Sequence, residues 1–242
     1  MKHCIFLAGA GGAIGRRLTP MLVAAGHTVF GTTRSRDKAD AIRALGAEPV
    51  VVDAFDAPAL ARAVAETAPG IVIHQLTDLP AGLDPSKMDE AVRRNARLRR
   101  EGTRHLVDAA VAAGVRRLVA QSIAWAYAPG AEPYVEGDPL DTSAQGNRGI
   151  SVGGVAALES AVLEAPLEGI VLRYGQLYGP GTGAPVRTGA SPLHVDDAAR
   201  AALLAIGRGA PGAYNIAERG GSVAVDKAER ELGWRAEPRD PG

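Results

Sequence analysis

The chain has 242 residues, 46% of them hydrophobic, with 27 basic side chains against 27 acidic ones and one cysteine. That length buries a full core without disulfides or structural zinc, Cys4 stands alone, and His3, His27, His74, His105 and His194 lack metal-ligand spacing. Zero net charge, no Lys/Arg block and 4% aromatic residues weigh against nucleic acid or an anionic membrane as partner, and the cysteine usage fits a reducing cytoplasm.

The apolar stretch behind Lys2 contains Gly9, Gly11, Gly12 and Gly15, which suit a turn better than a signal-peptide helix, and no run of eighteen apolar residues follows. A soluble protein is expected. In chain order the pattern predicts a strand over His3 to Ala8, a helix over Gly12 to Ala25, a strand over His27 to Thr32 and a helix over Asp37 to Leu45. Then come a strand at Pro49 to Val52, a helix at Pro58 to Thr67 and a strand at Ile71 to His74. A long helix from Lys87 to Ala113, closed by Gly114, precedes a fifth strand at Arg117 to Ala120. The second half predicts a helix at Val152 to Glu164, a strand at Gly169 to Arg173, a helix from Asp196, a strand at Ala213 to Ile216 and a helix at Val225 to Leu232. Turn-rich stretches at Pro129 to Gly149 and Tyr178 to Pro192 fall where a substrate pocket would lie, and the tail after Trp234 reads as loose. Strands alternating with helices predict a doubly wound parallel α/β sheet. Five of its strands fall within residues 1–150, and 151–242 complete the sheet.

Ala8-Gly9-Ala10-Gly11-Gly12-Ala13-Ile14-Gly15 lies between the first strand and the first helix. Gly9 would allow the tight bend, Gly12 would let the backbone approach a pyrophosphate, and Gly15 would let the helix pack on the strand with its N-terminus facing the phosphates. The spacing is GxxGxxG rather than GxGxxG. After the second strand, Gly31-Thr32-Thr33-Arg34 offers no acid for a ribose 2′-hydroxyl. Arg34 and Arg36 could pair with a 2′-phosphate, which favours NADP over NAD, or stand as solvated charges at a helix start. Asp53 is placed to accept from the adenine amino group, and Asp56 to cap the next helix.

Seven further segments in order carry a resemblance. They are Val72 to Gln75, Glu101 to Ala110, Gly114 to Ser122, Leu172 to Gly181, His194 to Ala199, Tyr214 to Ile216 and Glu231 to Trp234. With the glycine turn, the chain resembles the extended and atypical short-chain dehydrogenase/reductases, the NAD-dependent epimerase/dehydratase family. The resemblance implies a Rossmann-like fold, with residues 1–150 as the nucleotide-binding domain and 151–242 completing the sheet and adding a small substrate-binding region, and a cofactor lined by Gly9, Gly12, Ala13, Ile14, Gly15, Thr33, Arg34, Asp53, Ala54, Gln75, Leu76, Thr77 and Gln121. It also sets Tyr174 and Gln176 near the nicotinamide.

The family's Tyr-xxx-Lys pair is absent, for no tyrosine here has a lysine four residues on, and no lysine lies between Lys87 and Lys227. Alignment on Glu159 puts Ser151 at the tyrosine position and Val155 at the lysine position, and Arg99 stands where many relatives carry an asparagine. A phenol of pKa about 10 needs a nearby cation to act as a base at neutral pH. Ser122 and Tyr127 remain as catalytic candidates, or they cap and pack the loop. His194 reads as structural, with Asp196 or Asp197 capping the next helix. The resemblance also implies a homodimer across the Lys87 and Val152 helices, the latter carrying Val152, Val155, Ala156, Leu158, Ala161 and Val162, unless that stripe faces its own sheet. Segments 181–194 and 216–231 are short for the family, which suits a small substrate better than a nucleotide-sugar. Three functions follow as expectations: an NADP(H)-dependent oxidoreductase acting on a small carbonyl or related substrate, an epimerase or dehydratase with retained cofactor, and a non-catalytic NADP(H)-binding sensor or scaffold.

Overall fold

The computed structural model describes residues 2–237. Its strands are β1 (Cys4–Ala8), β2 (Thr28–Thr33), β3 (Glu48–Val51), β4 (Ile71–His74), β5 (Arg117–Ile123), β6 (Glu168–Tyr174), β7 (Gln176–Tyr178), β8 (Pro192–His194) and β9 (Gly212–Ile216). Seven of them form one parallel sheet in the order β3-β2-β1-β4-β5-β6-β9, while β7 and β8 pair separately. The order reverses between β1 and β4. In open α/β sheets the crevice outside the strand C-termini at such a reversal is where ligands bind.

The helices are α1 (Ala13–Ala24), α2 (Ala39–Ala44), α3 (Ala57–Thr67), α4 (Met88–Arg97), α5 (Thr103–Ala112), α6 (Gly146–Leu163) and α7 (Val195–Ala205). Because strand side chains alternate between faces, Ile5 and Leu7 of β1 point one way and Phe6 and Ala8 the other. The first pair packs in a core with Leu18 and Leu22 of α1 and Ala198 and Ala202 of α7. The second joins Leu60 and Val64 of α3, Leu106 and Val107 of α5, and Leu158 and Val162 of α6. Both faces of the sheet are therefore dry, which explains the continuous apolar runs of its strands.

Several elements depart from the sequence reading. The long helix over 87–113 is α4 and α5 joined by a π-helical turn, Leu98–Gly102. Helix α6 starts at Gly146 rather than Val152, through Gly146-Asn147-Arg148-Gly149, three of whose four residues are poor helix formers. Tertiary bonds fix that start: Arg148 donates to Asp141 Oδ2 at 2.6 Å and to the carbonyls of Trp125 and Tyr127, and Asn147 donates to Asp89. The last helix is a π turn at Ala228–Leu232. Of the tail expected to be loose, Arg235 and Glu237 are held by Arg200, and 238–242 lie outside the described residues. His194 itself caps α7, its Nδ1 accepting from the Asp196 N–H, where an aspartate cap was expected. Asp56 caps α3 as expected, accepting from the Ala59 N–H. Of the α6 stripe, Val152, Val155, Leu158 and Val162 are buried within the subunit, and Ala156 and Ala161 are half-buried.

Candidate functional site

The crevice is built from the ends of β1, β2, β4, β5 and β6. At its centre the chain leaves β1 through Gly9, whose φ of +96° is a conformation side-chain-bearing residues avoid. A Cβ there would also sit 2.7 Å from the carbonyl of Gln75, so only glycine lets the turn close against the end of β4. The turn is pinned by Gly12 N–H donating to Gly9 O at 3.1 Å and by Gly9 N–H donating to Thr32 Oγ1 at 3.1 Å. Thr32, unremarked in the sequence reading, thus ties the turn to β2. Gly15 is equally constrained, since a Cβ would meet Gly9 O at 2.2 Å.

Helix α1 then begins at Ala13 with no side-chain cap and no acidic residue in its first turn. Its leading N–H groups and the positive end of its dipole are left for a ligand. Beside it, Gln75 Oε1 is the one enclosed side-chain polar atom without a hydrogen-bond partner among the described residues. A glycine cradle, an uncapped helix N-terminus and an orphaned acceptor together fit a dinucleotide.

Around this cradle the remaining predicted residues fall as follows. Thr33 Oγ1 accepts from the Ser35 N–H. Arg34, more than half exposed, reaches to within 3.7 Å of the Asp78 carboxylate, which also lies 3.5 Å from Arg94. Asp53 caps its own turn, accepting from Phe55 N–H, and Ala54 O accepts from His105 Nδ1, which fixes that tautomer. The loop after β4 is held by Leu76 N–H donating to His74 Nδ1, Gln121 donating to Leu76 O at 2.8 Å and Asp78 N–H donating to Asn95 Oδ1. Thr77 is exposed. Tyr174 is buried, its hydroxyl accepting from Gln75 Nε2 at 3.3 Å, and burial pushes its phenol far up. Gln176 is spent on the β7–β8 unit, accepting from Ser191 N–H.

Ser122 and Tyr127 do not open on the crevice. Ser122 Oγ donates to Glu159 Oε1 at 2.6 Å, and the same carboxylate takes Nε and Nη2 of Arg173, the latter at 2.6 Å. Arg173 Nη1 donates to Tyr127 Oη at 2.9 Å and to Glu136 O, and Tyr127 Oη donates to Asn215 Oδ1 at 2.6 Å. All five side chains of this network other than Glu136 are buried. Burial pushes the Tyr127 phenol up, and the Arg173 charge only partly offsets it. In this structure each hydroxyl donates to a partner inside the protein, Ser122 to Glu159 and Tyr127 to Asn215. The network was missed, although an arginine inside the apolar strand Val171-Leu172-Arg173-Tyr174 and a glutamate between Leu158 and Val162 are its signals. A charge at a buried position requires a paired one.

At the aligned Tyr-xxx-Lys positions, Val155 is fully buried against Ile123, Ala126 and Val152. Ser151, half-buried, accepts from Arg99 Nη1 at 3.4 Å.

The family described as NAD(P)H-binding matches residues 9–184. A 3-diazoavenalumate denitrifying reductase of a Streptomyces species is 44% identical over 236 residues, covering 88% of this chain and 75% of the relative. Among solved structures, UDP-glucose 4-epimerase of Thermotoga maritima with UDP-glucose superposes with a TM-score of 0.78 at 19% identity, covering 99% of this chain and 94% of the other. The Bordetella bronchiseptica enzyme WbmG, in complex with NAD and UDP, gives 0.74 at 20% identity, over 99% and 90%. At those identities the structures speak for the fold. Fold, glycine cradle and family match agree, and the chain belongs to the NAD(P)H-binding family, as a Rossmann-fold protein of the extended or atypical short-chain dehydrogenase/reductase type.

Proposed function

We propose that the protein is an NADPH-dependent reductase that acts on a small electrophile requiring no proton from the protein. The observation that carries this is the closed network: Tyr127 and Ser122 donate inward to Asn215 and Glu159, and the aligned Tyr-xxx-Lys positions hold Ser151 and Val155. The name of the Streptomyces relative supplies a matching reaction class, reductive loss of nitrogen from a diazo compound. When bound, the cofactor supplies a hydride to an aryl diazonium carbon: the C–N bond breaks, its electron pair leaves with dinitrogen, a C–H bond forms, and no proton is consumed.

The chain's own share is binding and enclosure. The Gly9–Gly15 turn and the α1 N-terminus hold the pyrophosphate, and Gln75, whose backbone closes against Gly9, backs the turn. Gln121, by fastening Leu76, keeps the β4 loop in place. Arg34 meets the 2′-phosphate by giving up its long contact with Asp78. Residues 1–150 carry this work, while 151–242 complete the sheet and, with the β7–β8 unit, form the substrate side. Among the described residues no helix is long and apolar enough to cross a membrane. We take the protein to act in the reducing cytoplasm, as a homodimer across the outer faces of α4 and α6, a state that light scattering tests.

The experiment is a titration with NADPH and NADH followed through energy transfer from Trp125, which is 42% exposed. Turnover of a benzenediazonium salt with cofactor deuterated at the nicotinamide C4 then follows, against heated protein. Tighter NADPH binding and deuterium at the carbon that bore nitrogen support the reading. Failure to bind either nucleotide, or turnover confined to carbonyl compounds, overturns it.

A further inference from the structure

Arg99 is a buried cation without an anion. It lies on the π turn between α4 and α5 and is 7% exposed. A guanidinium has five N–H groups. This one makes a single long hydrogen bond, 3.4 Å to Ser151 Oγ, and no ion pair among the described residues. The nearest buried carboxylate, Glu159, is in electrostatic reach, but its oxygens are taken by Arg173 and Ser122. The other titratable neighbour, His74, is buried and neutral, its Nε2 bonded to Thr103 Oγ1. Among the described residues Gln75 Oε1 is the one enclosed side-chain atom without a partner, so Arg99 Nε and Nη2, which also lack one, touch open space rather than sealed protein.

Placement ties that space to the crevice. His74 is the last residue of β4, Ser122 with Glu159 marks the end of β5, and Ser151 stands at the aligned tyrosine position. A single-turn π bulge inside a helix re-aims one side chain and is common at functional sites. Two residues before it α6 packs closely on α4, for a Cβ on Gly154 would sit 2.9 Å from Ala96 Cα. The cofactor's own anions belong elsewhere, the pyrophosphate at α1 and the 2′-phosphate at the end of β2. Burying an uncompensated charge is costly, and a neutral hydroxyl does not offset it, whereas a carboxylate does.

We propose that Arg99, steadied by Ser151, binds the carboxylate of an acidic substrate at the β4–β5 end of the crevice. This deepens the reductase reading and rests on it. The site thus selects small organic acids, and it turns the positions vacated by the Tyr-xxx-Lys pair from proton delivery to anion binding.

The test is calorimetric titration of the full chain, NADPH-loaded and cofactor-free, with benzoate and with the isosteric neutral benzamide. Wild type should bind benzoate about ten-fold or more tightly than benzamide. Arg99→Met should lose that preference, Arg99→Lys keep part of it and Ser151→Ala weaken it, while NADPH affinity stays within about two-fold. Arg99→Met should also melt no lower than wild type, since it removes a buried unpaired charge; a structural arginine would give a clear drop. Equal binding of the two ligands by wild type, no benzoate binding, unchanged benzoate binding by Arg99→Met, or a loss of NADPH affinity in its place would each overturn the proposal. Should no nucleotide bind, the reductase reading falls, and the benzoate–benzamide comparison on cofactor-free protein still decides the role of Arg99.

Discussion

Tyr127→Phe separates a structural phenol from a catalytic one. Among the described residues the hydroxyl is the only donor to Asn215 Oδ1, whose amide Nδ2 is already spent on Tyr134 O, and it accepts one N–H of Arg173. Its removal leaves a buried acceptor unsatisfied and reduces Arg173 Nη1 to its bond with Glu136 O. An unsatisfied buried group costs about 1–3 kcal/mol, and a phenylalanine ring fills the same space, so the net loss should be about 2 kcal/mol. For a chain of this size that lowers the melting temperature by about 4–8 °C. Below the transition, turnover with NADPH should stay within about three-fold of wild type, because the lost bond faces the protein. A general acid contributes about 10²–10⁴-fold, so a fall of that size with an unchanged melting temperature would refute the structural assignment.

Other perturbations read other parts of the site. Arg34→Ala should weaken NADPH by about 1–3 kcal/mol and leave NADH nearly unchanged; equal losses in a binding titration would remove Arg34 as the discriminator. Glu159→Gln strips the buried Arg173 of its counter-charge and should cost about 3–5 kcal/mol, seen as a melting temperature lower by roughly 10 °C or more, and an unchanged melt would contradict the pairing. His74 is held neutral by burial, its pKa pushed down from 6.5 to about 4. Below pH 6.5 the unfolded chain therefore takes up a proton that the fold refuses, and stability falls as pH drops from 6.5 towards 4, by about 2 kcal/mol at pH 5. Melting curves of wild type and His74→Gln between pH 7 and 5 should diverge accordingly, and parallel curves would show that His74 ionises freely.

Local and periodic features of the fold were legible in the sequence. The Gly9–Gly15 turn announced itself because close backbone approaches at Gly9 and Gly15 demand glycine, and β1, β4 and β5 announced themselves because strands covered on both faces are largely apolar. What escaped reading depended on contacts distant in sequence. Tyr127 meets Asn215 across 88 residues and Ser122 meets Glu159 across 37, so no spacing rule reveals these bonds. The residue types did carry a warning, since Arg173 interrupts a buried strand. The start of α6 was misplaced because Gly146, Asn147 and Gly149 disfavour helix and the segment depends on Arg148 and Asn147 for its anchorage. The π turn at Leu98–Gly102 leaves the helical period of its neighbours nearly unbroken and so shows no mark in the sequence.

The network and the missing acid are physically linked. A buried arginine is tolerated only if its N–H groups are satisfied, and Arg173 achieves this by drawing in Glu159, Tyr127 and the Glu136 carbonyl. That arrangement ties the ends of β5, β6 and β9 to α6 and to the loop after β5, where Ala124 N–H also bonds Tyr174 O and Arg148 grips two carbonyls. The floor of the crevice is thus over-determined. Hydride transfer depends steeply on the separation and angle of the reacting atoms, so a rigid floor favours it even where no side chain takes part in the chemistry. A phenol that had to change protonation state each turnover would disturb the charge balance around Arg173 and loosen that floor. On the proposed function the proton is moved out of the reaction, which removes this conflict and leaves Tyr127 as a strut.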